Sequence, residues 1–107
     1  MDIPTLAEEF GLEEQEVRRL FQTFLESTEK DLVQLGQAFS EQDAETMQAA
    51  AHHIKGAAGN LELEVIAEAA RRIEEKVRRG RIEDPAVHIA NIRRQLESIS
   101  TQLSSER

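Results

Sequence analysis

Sorted into apolar and polar positions, the chain falls into five segments of helical period. Val17, Leu20, Phe21, Phe24, Leu25, Thr28, Leu32, Leu35 and Phe39 recur mostly three and four apart. A 3.6-residue turn gathers such positions onto one face, whereas a strand would scatter them. The pattern predicts a helix from about Glu13 to Phe39, opening on Glu13, Glu14 and Glu16, whose charge suits the positive end of the helix dipole. A shorter segment, Thr5 to Phe10, precedes it and stops at Gly11. A third helix, Ala44 to about Asn60, starts from Asp43 as N-cap, buries Met47, Ala50, Ala51, Ile54, Ala58 and Leu61, and is expected to end at Gly59-Asn60. The fourth, about Leu63 to Arg79, buries Leu63, Ile66, Ala67, Ala70, Ile73 and Val77 and closes at Gly80. Asp84-Pro85 reads as N-cap and first helical residue of a fifth helix reaching Leu103, with Ile89, Ile92, Leu96, Ile99 and Leu103 as its apolar seam.

Four long amphipathic helices on short connections imply an all-α fold, an antiparallel up-down-up-down four-helix bundle, with the short extra N-terminal helix as a lid on one end. The length of 107 residues fits one domain, 1–107: a short helix at about 5–10, a bundle at about 13–103, and a polar tail, 104–107, expected to fray. The formal net charge of −8 opposes nucleic acid and anionic membrane as partners. Absence of cysteine excludes disulfides and thiol chemistry. Met1-Asp2-Ile3-Pro4 lacks a basic start followed by an apolar run, and no stretch approaches the roughly 18 apolar residues of a membrane span. A soluble, cytoplasmic, monomeric protein is expected, and Met1 with the capped first helix favours one that stands alone.

The chemistry concentrates between His52 and Gly59. On a helix at about 100° per residue, His52 lies about 140° from the apolar stripe and faces water. Gly56 and Gly59 share its face, and Lys55 stands at the edge, within side-chain reach. Glycine within a helix costs about 1 kcal/mol relative to alanine, so two of them beside an exposed imidazole suggest access for another protein's surface. A Gly-x-x-Gly packing seam is the competing explanation. A neutral imidazole can attack phosphorus without a dedicated base, and Lys55 can balance part of the incoming charge as a point cation. These residues do not choose between the two ring nitrogens. His53 points about 100° away and reads as a boundary residue contacting the neighbouring helix, which makes the pair a poor metal site. No aspartate triad for magnesium, no glycine-rich phosphate loop and no second carboxylate placed as a base is visible, so no metal site and no cofactor is expected.

The run His52-His53-Ile54-Lys55-Gly56-Ala57-Ala58-Gly59-Asn60-Leu61 resembles the signature of histidine-containing phosphotransfer (HPt) domains. The likeness extends to Phe21 through Leu35, to the run from Ala67 to Glu74, and to the overall length. One departure is Glu62, where many relatives place glycine after the Asn-Leu pair. The resemblance implies a phosphorelay carrier, not an enzyme, in which His52 accepts a phosphoryl group at Nε2 from a receiver-domain aspartate or a kinase and passes it to another receiver. It implies partners among response-regulator receivers and hybrid histidine kinases, with Mg²⁺ held only by the receiver. Glu45, Gln48, Ala49, Gly56 and Gly59 would form the floor of a weak, transient contact around His52 and Lys55.

Two other readings stand beside this one. The chain can be an interaction module that binds a receiver or kinase without carrying phosphate, or a structural bundle that dimerises through the Ile89 to Leu103 seam. A kinase dimerisation domain also presents an exposed histidine on a bundle, but it usually sets an acidic residue directly after it, where this chain has His53. The arginines at 71, 72, 78, 79 and 81 could contact an acidic receiver edge, but ordinary helix-end electrostatics explains them adequately and no function is assigned to them.

Overall fold

In the computed structural model, which describes residues 1–105, the chain forms five helices: α1 (Ile3–Phe10), α2 (Glu14–Ser40), α3 (Ala44–Asn60), α4 (Glu64–Arg78) and α5 (Ala86–Ser105). No strand occurs among the described residues. The 27 residues of α2 span about 40 Å at 1.5 Å per residue, which accounts for the longest dimension of the 43 × 21 × 17 Å molecule. α2 packs on α3, α3 on α4, α4 on α5 and α5 back on α2, while α1 packs on α2 alone. The four long helices therefore close a ring around one interior.

The starts of α3 and α5 follow the sequence pattern, while α1 begins at Ile3, two residues before the expected Thr5. Asp2 and Asp43 each accept the amide three residues on, Thr5 at 3.2 Å and Thr46 at 3.1 Å, as N-caps do. The Asp84 carboxylate accepts from the Ala86 amide at 2.9 Å, and helical bonding begins as Ile89 donates to the Pro85 carbonyl.

The helix ends hold a surprise. Each of the four corners closes by the same paired reversal, an amide reaching back five residues and its predecessor reaching back three, as in Leu63 to Ala58 and Glu62 to Gly59. The pivot of this motif needs positive φ. Gly11 (φ 67) and Gly80 (φ 81) supply it as expected, but Gln42 (φ 56) and Glu62 (φ 59) do so with side chains attached, at a cost of roughly 1 kcal/mol each. α3 ends at Asn60, as its Gly59-Asn60 pair predicts, but the reversal turns on Glu62, which takes the left-handed position two residues on.

The interior contains the predicted apolar stripes with few exceptions. Leu20, read as core, stands at the stripe's edge and is 41% exposed, while Ala38 is buried instead. Of the α5 seam, Ile92, Leu96, Ile99 and Leu103 are buried in the bundle and Ile89 is half-buried. Of the tail expected to fray, Ser104 and Ser105 continue α5, and Glu106-Arg107 lies outside the described residues. Arg18 donates to the Leu103 carbonyl at 2.9 Å, and Arg93 pairs with Glu29 at 2.7 Å, holding α5 against α2.

Candidate functional site

α3 lies between α2 and α4, so its outward face is flanked by a helix on each side. His52 sits midway along it, its side chain 66% exposed. Small residues make this possible. Ala50, Ala51 and Ala58 are buried on the opposite face and bring α3 close to its neighbours. An imidazole on that helix can thus touch a side chain of α4 while remaining open to water.

The side chain it touches is Glu74. His52 Nδ1 lies 2.7 Å from Glu74 Oε2, Lys55 Nζ donates to Oε1 at 2.6 Å, and Arg78 Nη2 donates to Oε2 at 3.1 Å. Glu74 itself is 2% exposed. Burial pushes its carboxyl pKa up, but the hydrogen bonds from Lys55 and His52 outweigh that and hold it below the ordinary glutamate range. An ionised carboxylate can only accept, so Nδ1 must carry the proton. In the neutral ring the lone pair is then on Nε2, the nitrogen directed away from the bundle. The contact selects the ring nitrogen that the amino-acid pattern left open.

Glu74 is a site residue that the sequence pattern did not single out, a carboxylate that accepts from the ring and is not placed as its base. Its signal was present: Glu74 falls in the α4 stripe, between Ala70 and Val77 at helical spacing. A carboxylate in an apolar stripe is costly to bury without partners, which made it a candidate for pairing with a charged residue on a facing helix. Arg78 was likewise assigned only to the helix dipole, yet it contacts the same oxygen as His52.

The remaining residues of the predicted contact floor all fall within about 60° of His52 around α3. Glu45, Ala49, Gly56 and Gly59 are exposed and Gln48 is half-buried. A β-carbon built at Gly56 or Gly59 would meet nothing within 4 Å, so no neighbouring helix requires the missing side chains. This sets aside the packing-seam explanation and leaves an open floor beside the imidazole.

His53 faces α2, where its Nδ1 bonds Asp31 Oδ2 and its side chain is 60% exposed. Asp31 was not anticipated as its partner. Among the described residues no group of three or more histidine, aspartate and glutamate side chains is arranged to hold a metal, and no helix is long and apolar enough to cross a membrane.

A family model described as Hpt domain matches residues 19–102. A crystal structure of histidine-containing phosphotransfer protein B from Pseudomonas aeruginosa PAO1 is similar at 26% identity and a TM-score of 0.82, covering 99% of this chain and 92% of that one. No curated protein sequence matches the chain.

Proposed function

The chain belongs to the Hpt domain family, and from that premise we propose that it is a histidine phosphocarrier in a phosphorelay, with His52 as the residue that is phosphorylated. The carrying observation is the 2.7 Å contact between His52 Nδ1 and the buried Glu74, which places the proton on Nδ1 and, in the neutral ring, the lone pair on Nε2 of a side chain that is 66% exposed. The Nε2 lone pair attacks phosphorus in a partner's phospho-aspartate, the acyl-phosphate P–O bond breaks, and the aspartate leaves as carboxylate. Positive charge that develops on the ring is shared through Nδ1–H with Glu74. Attack by the next partner's aspartate on the same phosphorus returns the electron pair to Nε2 and regenerates the neutral ring.

Charge balance supports the assignment. With His52 neutral, Lys55 and Arg78 against Glu74 leave one positive charge beside the ring. A phosphoryl group meets that excess, and both cations can turn from Glu74 toward its oxygens. The proposal includes the up-down-up-down order of the four long helices, which tight reversals between neighbours favour, and the receiver docking on Glu45, Gln48, Ala49, Gly56 and Gly59. It treats the protein as a cytoplasmic monomer and a carrier without a catalytic cycle, metal or cofactor of its own. Magnesium belongs to the receiver.

Incubation with a phosphorylated receiver domain tests it. The parent should acquire an acid-labile, alkali-stable label, and His52→Gln should acquire none. Equal labelling of the variant overturns the site, and a receiver that binds without losing its phosphate turns the reading toward a pure interaction module.

A further inference from the structure

Six of the chain's 13 basic residues lie between Arg71 and Arg81, in a protein whose formal net charge is −8. Helix-end electrostatics explains cations in the last turn of α4, which are each worth about 0.3–1 kcal/mol. It does not explain Arg71 and Arg72, nearly two turns earlier, nor Arg81 beyond the end. Arg71, Arg72, Lys76, Arg79 and Arg81 line a concavity of about 350 Å³ with Glu75 as its single acid. Arg71 and Arg72 are tied to Glu68 and Lys76 stands 3.6 Å from Glu83, whereas Arg79 and Arg81 make no ion pair among the described residues.

Placement gives the cluster a direction. Relative to Glu74, which points inward at His52, Arg78 and Arg71 lie about 40° and 60° around α4, while Arg79, Arg72 and Lys76 lie about 140° to 200° around, on the outer face. Cations thus run from the imidazole over the shoulder of α4. A contact patch of about 800 Å² has a radius of about 16 Å, and a helix is only about 10–12 Å wide. A protein centred on His52 therefore extends past α3 and over α4 toward these cations.

We infer that Arg72, Lys76, Arg79 and Arg81 form a docking surface for an acidic segment on the protein that exchanges phosphoryl groups with His52. The inference rests on the phosphocarrier reading and adds where the partner lies and what charge it presents. Charge complementarity selects the occupant: the cations are spread along more than two helical turns, a length that matches an extended acidic segment better than one small anion. The strongly acidic remainder of the chain repels nucleic acid and anionic bilayers alike. Such a surface acts mainly on the rate of encounter, and it weakens as salt shortens the Debye length to about 10 Å at 0.1 M.

The test compares two phosphoryl donors on the parent and on the triple variant Arg72→Glu/Arg79→Glu/Arg81→Glu, none of which contacts Glu74 or His52. One donor is a phosphorylated receiver domain that labels the parent. The other is phosphoramidate, whose P–N bond breaks as Nε2–P forms and ammonia leaves, and which needs no docking. At low salt the variant should accept phosphate from the receiver at least about tenfold more slowly, with a flattened salt dependence, and from phosphoramidate at the parent rate. If the reversal unfolds the chain, the Arg→Gln triple should show the same change at smaller size. Unchanged receiver transfer overturns the inference, as does an equal loss with both donors. Binding of the parent to phosphatidylglycerol vesicles, abolished by the variant while receiver transfer is unaffected, overturns it in favour of a membrane. A parent that no phosphorylated receiver labels, and that phosphoramidate does not label either, overturns the carrier reading itself.

Discussion

His52 and His53 are neighbours in sequence, are exposed to similar extents (66% and 60%), and each rests its Nδ1 on a carboxylate of a flanking helix. Their surroundings nevertheless differ in the one respect that matters for carrying a phosphoryl group. Glu74, beneath His52, is 2% exposed and also holds Lys55 and Arg78. Asp31, beneath His53, is 15% exposed and takes no cation within ion-pair distance among the described residues. Exposure and an oriented ring are therefore common to both. What distinguishes His52 is a buried anion that gathers two cations next to the ring, where an incoming phosphoryl dianion can use them.

The sharpest break of this comparison exchanges the two histidines' fates. His52→Gln should abolish labelling by phosphoramidate and by receiver alike, while His53→Gln should change either rate by less than about threefold; gel autoradiography reads both. Next in size, Glu74→Ala frees Nδ1 and should slow labelling about 10- to 100-fold, the usual consequence of removing a carboxylate that orients a working histidine. Asp31→Ala should leave the rate near that of the parent. Neutralising the cations, Lys55→Gln with Arg78→Gln, should cost about 3- to 10-fold, since both are partly solvated and screened. Quenched-flow sampling of either series measures it.

Stability gives a finer contrast. Hydrogen bonds to a charged group contribute roughly 1.5–3 kcal/mol, so Glu74→Gln should lower urea stability at pH 7 by an amount of that order, and Asp31→Asn by under about 1 kcal/mol. The Glu74 carboxyl is depressed in the folded state from its ordinary 4.5. Its contribution is therefore complete above that value and lost as pH falls through the lower folded one. The gap between parent and Glu74→Gln should accordingly narrow as urea melts are taken further below pH 4.5, whereas a gap that stays constant removes the charge from the account. The smallest effect belongs to the floor between the two rings. Gly56→Ala meets open space and should stabilise the helix by up to about 1 kcal/mol in a thermal melt, with receiver transfer falling more than phosphoramidate labelling.

Much of this was legible in the residues because local physics decides it. Apolar spacing set the five helices to within one or two residues. The cap at Asp43 and the pivots at Gly11 and Gly80 need only local contacts. The outward direction of His52 follows from one helix's own periodicity. Leu20 was misread because a stripe's edge is buried or exposed according to which helix lies beside it. Gln42 and Glu62 were not read as pivots because positive φ there is imposed by the corner and not favoured by the residue.

What the linear order could not determine was which side chains meet across helices. His52 and Glu74 are 22 residues apart, as are Asp31 and His53, and Lys55 reaches Glu74 over 19. Such pairings depend on the antiparallel level and rotation of packed helices, which periodicity on each one leaves free. The sequence by itself determined the helices, their buried faces and an exposed imidazole among small residues. Tertiary structure alone decided that a buried carboxylate fixes its proton, orients Nε2 to water and assembles the cations around it.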